Sequence, residues 1–303
     1  MSGVKKNFKT NYLPKIFFFG TGEWSKNYLK LIQSSFKNKL FISCIITTNL
    51  DYKSNFYNVE NSLEKALNIY GIPDGFIICT HPKKNISIIS KIIEYDKPII
   101  IEKPITLPSD FDNLIKLFSN KNLSKIFVNH VHFYNDTFLK IIPSNNTDLF
   151  NAKIIDGSFG PNREFSPLID WGPHVFGIIS YFLGNIKDLK IHKIKKIKVN
   201  SKNKYNLYLK MSNTNETKIF SIIIGNNFSQ KKRTINFRMI DNKIIRFDLN
   251  KNLPKVSPLE NILSTFTKKI LDANYNTNII TSEIAIRSLE IIKIIEKKLK
   301  NEV

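Results

Sequence analysis

The 303-residue sequence predicts an α/β protein. A doubly wound parallel sheet is expected over residues 1–128, followed over 129–303 by an α/β domain with an open, mainly antiparallel sheet. Three observations carry this expectation. A glycine-rich turn, Gly20-Thr21-Gly22, joins the first apolar run to an amphipathic segment. Apolar runs and amphipathic segments then alternate as far as Asn129, which is the pattern of βα units. From Ile186 to Phe247 the pattern changes to short alternating runs, such as Tyr205 to Met211, Lys218 to Ile224 and Thr234 to Met239, which read as antiparallel strands.

Lys15 to Phe19 is the first strand, and a helix with Tyr28, Leu29, Ile32 and Phe36 on its apolar side follows the turn. In a dinucleotide site the first glycine of such a turn permits the tight bend. The second lets the backbone approach a pyrophosphate seated on the helix N-terminus, and a small third residue permits close helix–strand packing. Here that third residue is Ser25, and an ordinary β–α turn would carry the same residues. Leu40 to Thr47 is the second strand. Its end shows Thr47-Thr48-Asn49 where an acid would hold the ribose 2′-hydroxyl of NAD, with Asp51 and Lys53 slightly later, so both NAD and NADP stay open. Ser62 to Tyr70 is a short helix, and Gly75 to Cys79 a strand opening into Thr80-His81-Pro82 and a helix from Lys83 to Tyr95.

Ile99-Ile100-Ile101 reads as a strand buried on both faces, ending in Glu102-Lys103-Pro104. Ligands of open α/β sheets bind at that carboxyl edge, where a lysine near low-dielectric walls can exchange protons. Ser109-x-x-Asp112 resembles a capping box before a helix carrying Phe111, Leu114, Ile115 and Phe118, and Lys125 to Asn129 closes the domain. Pro143 to Asn146 reads as a loop. Asp170 and His174 stand four apart ahead of an apolar helix, Val175 to Leu183. On one helix face, the carboxylate would favour the imidazolium and fix the ring for proton relay. An Asp cap and a structural histidine would give the same spacing. Ser257-Pro258-Leu259-Glu260 is a capping box opening a helix, and Ser282 to Lys300 is the last helix.

The composition, 42% hydrophobic and 23% charged, is that of a soluble globular chain. Two cysteines, Cys44 and Cys79, are too few for a disulfide framework, and a cytoplasmic location is expected. The basic N-terminus (Lys5, Lys6, Lys9) precedes an apolar run, Ile16 to Phe19, too short for a signal peptide, and no run has the length of a membrane helix. A net charge of +21 raises the question of nucleic acid. The lysines are spread along the chain, however, and abundant isoleucine and asparagine beside them point to a coding bias, so no nucleic-acid partner is expected. The densest patch, Ile191 to Val199, alternates like a protected edge strand.

Taken in order, GTGEW, CTHP, EKP, DWGPH and the two C-terminal helices resemble the Gfo/Idh/MocA family of NAD(P)-dependent oxidoreductases over nearly the whole chain. The resemblance implies a Rossmann domain followed by an α/β domain whose open sheet mediates homo-oligomerisation. It implies that Lys103 exchanges a proton with a substrate hydroxyl or carbonyl, assisted by Asp170 and His174. Gly20, Thr21, Gly22, Glu23 and Trp24 match the cofactor loop, Thr80, His81 and Pro82 the segment near the nicotinamide ribose, and Glu102 the acidic neighbour of the lysine. The implied cofactor is NAD or NADP and the implied substrate a sugar-like or nucleotide-sugar-like small molecule, with no metal site and no membrane partner. The chain departs from the family pattern at Ser25, at Asn85 where a histidine is usual, at the missing strand-two acid and in Arg163 to Pro167. Those departures motivate an alternative, a cofactor-binding sensor without turnover. His130, His132 and Tyr134 could line the substrate pocket or belong to the core.

Overall fold

A computed structural model describes residues 12–119, 121–142, 149–159, 164–184, 186–198 and 205–301. Six strands form the first sheet: β1 (Lys15–Phe19), β2 (Phe41–Ile46), β3 (Val59–Glu60), β4 (Gly75–Ile78), β5 (Ile99–Ile101) and β6 (Ile126–Val128). Their order is β3-β2-β1-β4-β5-β6 and every pairing is parallel. Helices α1 (Glu23–Gln33), α2 (Leu63–Tyr70), α3 (Pro82–Ile92) and α4 (Phe111–Phe118) make the crossovers. The doubly wound expectation therefore holds, and the strand order puts the β1/β4 switch point beside the glycine-rich turn.

The near-continuous apolar strands follow from burial on both faces. Phe17, Phe19, Phe76, Ile78, Ile99 and Ile101 pack toward α2, α3 and α4, while Ile16, Phe18, Ile77 and Ile100 pack on Tyr28 and Ile32 of α1. The second face is completed from far along the chain. Ile262, Leu263 and Phe266 of α8 (Pro258–Leu271) lie on it, and a Cβ at Gly75 would come within 2.6 Å of the Phe266 ring. Full burial of that ring contributes about 1.5–3 kcal/mol.

The second sheet holds β7 (Leu149–Phe159), β8 (Leu189–Lys198), β9 (Tyr205–Asn213), β10 (Ile219–Gly225), β11 (Asn227–Met239) and β12 (Ile244–Asp248), in the order β12-β11-β7-β10-β9-β8. Only β7 with β10 is parallel; the other pairings are antiparallel, as the alternating runs predict. Short helices α5 (Asp136–Ile141) and α6 (Pro167–Asp170) precede α7 (Gly172–Leu183), which with α9 (Thr281–Asn301) covers the inner face. The lysine-rich β8 is an edge strand with a register shift between Ile191 and Lys193, the protected edge expected of its sequence.

Several local expectations are corrected. Helix α1 stops at Gln33, and Phe36 is buried in the turn that follows, where its amide bonds the Leu31 carbonyl. The Ser109/Asp112 capping box does not form: Pro108–Asp110 is a 3₁₀ turn, α4 starts at Phe111 with no side-chain cap, and Asp112 pairs with Lys293 instead. The box at Ser257 and Glu260 forms with both reciprocal bonds. Strand β7, central in the second sheet, has no counterpart among the strands expected from sequence. The loop expected at Pro143 to Asn146, Val199, Arg163 and the basic Lys5, Lys6 and Lys9 lie outside the described residues.

Candidate active site

A cleft of about 550 Å³ opens at the carboxyl ends of β1, β2 and β4. It is lined by Gly20, Thr21 and Gly22, by Thr47, Thr48 and Asn49, and by Thr80 and His81. Gly20 has φ +108°, and a Cβ there would lie 2.2 Å from the Cys79 carbonyl oxygen, so only glycine fits. Gly22 caps α1 with no side-chain bond and open space around it, which leaves the first amides of the helix facing the cleft edge. Ser25 is buried and its Oγ donates to the Cys79 carbonyl (3.2 Å), so the third motif position packs helix on strand as a small residue must. The cradle fits a dinucleotide: room for a pyrophosphate over the turn and helix amides without a competing side chain.

Around this cradle the other motif residues take different posts. His81 caps α3 through Nδ1, and its Nε2 meets Glu164 Oε1 at 2.8 Å. Pro82 is the first residue of α3 and is buried. Asn85, the departure from histidine, accepts from Thr80 Oγ1 (2.6 Å) and donates to the Ile105 carbonyl (2.9 Å), tying the β4 loop to the segment after β5. Glu23 pairs with Lys26 on the surface, and Trp24 is half exposed; neither is among the cleft-lining residues. Glu102 is buried beneath α1, where its Oε1 accepts from Tyr28 and from Asn129, each at 2.6 Å. Burial raises its carboxyl above the usual range, and the bonds from Asn129, Tyr28 and Trp24 and the nearby Lys103 offset this in part.

At the end of β5 the next residue, Lys103, points the other way, toward α6. Its Nζ donates to the Asp170 carbonyl at 2.9 Å and lies 3.5 Å from Asp170 Oδ1. The two side chains are 22% and 17% exposed, half-buried rather than fully solvated. Asp170 ends α6 and His174 lies in the first turn of α7, so the short break between helices separates them. The structure brings Lys103 and Asp170 into contact, with His174 within the field of Lys103, across 71 residues of chain.

The expectation of a charged imidazole does not survive. His174 is buried, and desolvation, followed by the positive charges of Lys103 and Arg233, holds its pKa well below the usual histidine value. It is neutral at physiological pH. Its ring sits between two others, His132 at 5.8 Å and 87° and His130 at 6.5 Å and 83°. Gly177 makes room for His130, whose Nδ1 lies 3.0 Å from where a Cβ would stand. Burial holds His130 down at about 3 and His132 well below its ordinary value.

This cluster sets a pH response. Unfolded, each histidine titrates near its ordinary value of about 6.5; folded, all three stay neutral to much lower pH. Their contribution to stability is therefore present above about 6.5 and is lost as pH falls below it. Glu102, Asp156 and Glu296, raised by burial, act in the opposite sense, but their ordinary values lie about two units below that of histidine. Each histidine contributes a slope of at most about 1.4 kcal/mol per pH unit. Urea midpoints measured at pH 7.5 and 5.5 should drop on acidification, and His132→Phe should flatten the drop. A midpoint unchanged over that range would contradict this account.

Two residues absent from the sequence-derived set complete the surroundings. Asp156 of β7, with a side chain only 3% exposed, takes a bidentate pair from Arg233 of β11: Nε to Oδ1 at 2.8 Å and Nη2 to Oδ2 at 3.2 Å. The Arg233 guanidinium also lies 5.7 Å from the Trp171 ring. Burial raises the Asp156 carboxyl, Arg233 and Lys103 lower it, and Asp170 raises it, so all four groups share one field. The run Lys153 to Asp156, apolar between charges, was the available signal for β7; Arg233 sits in a Lys-Lys-Arg run that reads as solvated.

Residues 15–130 match the family model described as an oxidoreductase family with an NAD-binding Rossmann fold. Comparison with curated protein sequences finds no match. Among solved structures, the chain is similar to a myo-inositol dehydrogenase from Corynebacterium glutamicum, with 15% identity and TM-score 0.74 over 93% of this chain and 95% of that one. It is similar to a dehydrogenase (MviM) from Clostridium difficile, with 16% identity and TM-score 0.73 over 96% and 99%. It is also similar to a UDP-N-acetylglucosamine 3-dehydrogenase from Acidithiobacillus ferrooxidans, with 12% identity and TM-score 0.71 over 93% and 96%. At these identities the likeness is one of fold.

Proposed function

We propose, from the match of residues 15–130 to the NAD-binding Rossmann model of the Gfo/Idh/MocA oxidoreductases, that the chain is a member of that family and that it oxidises or reduces a sugar-like carbinol or carbonyl. The observation that carries the proposal is Lys103 at the end of β5, half-buried and held by Asp170. Gly20, Thr21, Gly22 and the α1 amides hold the dinucleotide, and Thr80 and His81 flank it. The bound nicotinamide supplies a carbon that accepts or gives a hydride. Lys103 exchanges the proton of the substrate oxygen at Nζ. Asp170 orients that ammonium through its carbonyl and its carboxylate. Neutral His174 offers a ring nitrogen to the substrate as a hydrogen-bond partner rather than as an ion.

The substrate class is supported by the fold relatives, which include an inositol dehydrogenase and a nucleotide-sugar dehydrogenase. A screen of cyclitols, free sugars and nucleotide sugars, read by the absorbance of reduced nicotinamide, tests it. Tight dinucleotide binding without turnover on any of them would favour a sensor instead. Ser25, which motivated that alternative, packs as the motif requires.

We place self-association on the outer face of the second sheet. Phe150 and Ile244 are exposed there, and Tyr208, Ile223 and Ile155 run across it in one register row. Light scattering that returns a monomer mass would remove this assignment. The free, buried Cys44 and Cys79 support a cytoplasmic location, and among the described residues no helix is long and apolar enough to cross a membrane.

A further inference from the structure

The end of β2 decides which dinucleotide a Rossmann domain prefers, because the ribose 2′ position lies there. A 2′-hydroxyl is held by a carboxylate that accepts its proton; a 2′-phosphate needs cations and hydroxyl donors instead. At this end the charge comes from another crossover.

No carboxylate takes the post after β2. Thr47 is buried, and its Oγ1 is engaged with Thr21 Oγ1 at 3.1 Å and with the Asn49 amide at 3.1 Å, so it shapes the loop rather than facing a ligand. Asp51, the first acid after the strand, is among the lining residues of neither the cleft nor the groove beside it. The two acids that do line them have cations of their own: Glu64 meets Lys91 at 3.1 Å and Glu60 meets Lys65 at 3.9 Å.

A cation does take the post, and it comes from a different crossover. Lys84, on the first turn of α3, reaches back across the cleft and its Nζ donates to Thr48 Oγ1 at 2.9 Å. An ammonium and a hydroxyl thus stand together at the end of β2, both exposed to the cleft. Beyond them a groove of about 550 Å³ continues past Asn49, Lys53 and Lys65, sharing Thr47, Asn49 and Asn61 with the cleft. There is room for a phosphate, and Lys53 lies along that room.

We propose that this chain selects NADP(H) over NAD(H), and that Lys84 with Thr48 is the selecting pair. The proposal rests on the dinucleotide reading of the cleft and adds to it the choice between the two forms. A 2′-phosphate displaces no carboxylate here and gains a charge-assisted bond from Lys84 and a hydroxyl bond from Thr48. A 2′-hydroxyl finds no carboxylate free of a cation to accept from it there.

The test is a fluorescence titration of the full chain with NADPH and with NADH, repeated with 2′,5′-ADP and 5′-AMP as competitors. NADPH should bind at least about tenfold more tightly than NADH, the size of one charge-assisted contact. The preference should weaken with salt. Lys84→Ala should bring the two affinities to within about threefold, and Lys84→Glu should invert them. NADH binding as tightly as NADPH to the wild-type chain, or an unchanged ratio in Lys84→Ala, would overturn the assignment while leaving the dinucleotide reading intact. Binding of neither dinucleotide by a chain with native circular dichroism would overturn both.

Discussion

Replacing Lys103 with alanine should lower turnover by about 10²–10⁴-fold, the range over which a positioned acid or base accelerates proton transfer. Dinucleotide affinity should stay close to that of the wild type, because Lys103 is absent from the residues lining the dinucleotide cleft. The split follows from the geometry. Glu102 and Lys103 are adjacent in sequence but face opposite ways at the end of β5: the glutamate into the network with Tyr28 and Asn129, the lysine toward Asp170. Lys103→Arg should not restore turnover, since a guanidinium does not give up its proton in a protein. Single-turnover kinetics beside a titration with reduced dinucleotide separates the two effects. Turnover within tenfold of wild type in Lys103→Ala would remove the lysine from the mechanism.

Replacing Arg233 with methionine should destabilise the protein by about 3–5 kcal/mol, because it leaves a buried carboxylate without its counter-ion. Asp156 sits on the central strand of the second sheet, with both carboxylate oxygens committed to Arg233. The cost belongs to the orphaned charge and not to the lost contact. The double variant Asp156→Leu/Arg233→Met should therefore recover most of the denaturant midpoint. It should not recover turnover, since both groups contribute to the field around Lys103, Asp170 and His174. A double variant no more stable than Arg233→Met would show that the pair contributes through packing.

The N-terminal half was readable because its signals are local. Gly20 is a glycine for reasons contained in one turn, and Ile99 to Ile101 are uninterrupted because a strand covered on both faces has no polar side to show. The capping box at Ser257 closes within four residues and forms as read. The one at Ser109 has similar letters but fails, because the chain enters α4 through a 3₁₀ turn after Pro108. Strand β7 was missed although it is central. Its partners, β10 and β11, lie some 70 to 90 residues away, so little in its own letters announces the pairing.

By itself, the sequence determined the parallel sheet, the glycine cradle, the position of Lys103 at a strand end and the nearness in chain of Asp170 to His174. Each depends on periodicity, on a backbone angle or on a spacing of a few residues. Tertiary structure alone decided the charges. Burial and the cations Lys103 and Arg233 keep His174 neutral where its neighbour in sequence, Asp170, suggested the opposite. Packing made an ion pair of Asp156 and Arg233, and it carried Lys84 from one crossover to the strand end of another. Protonation and ion pairing depend on what surrounds a group in three dimensions, and residues distant in the chain supply most of those surroundings.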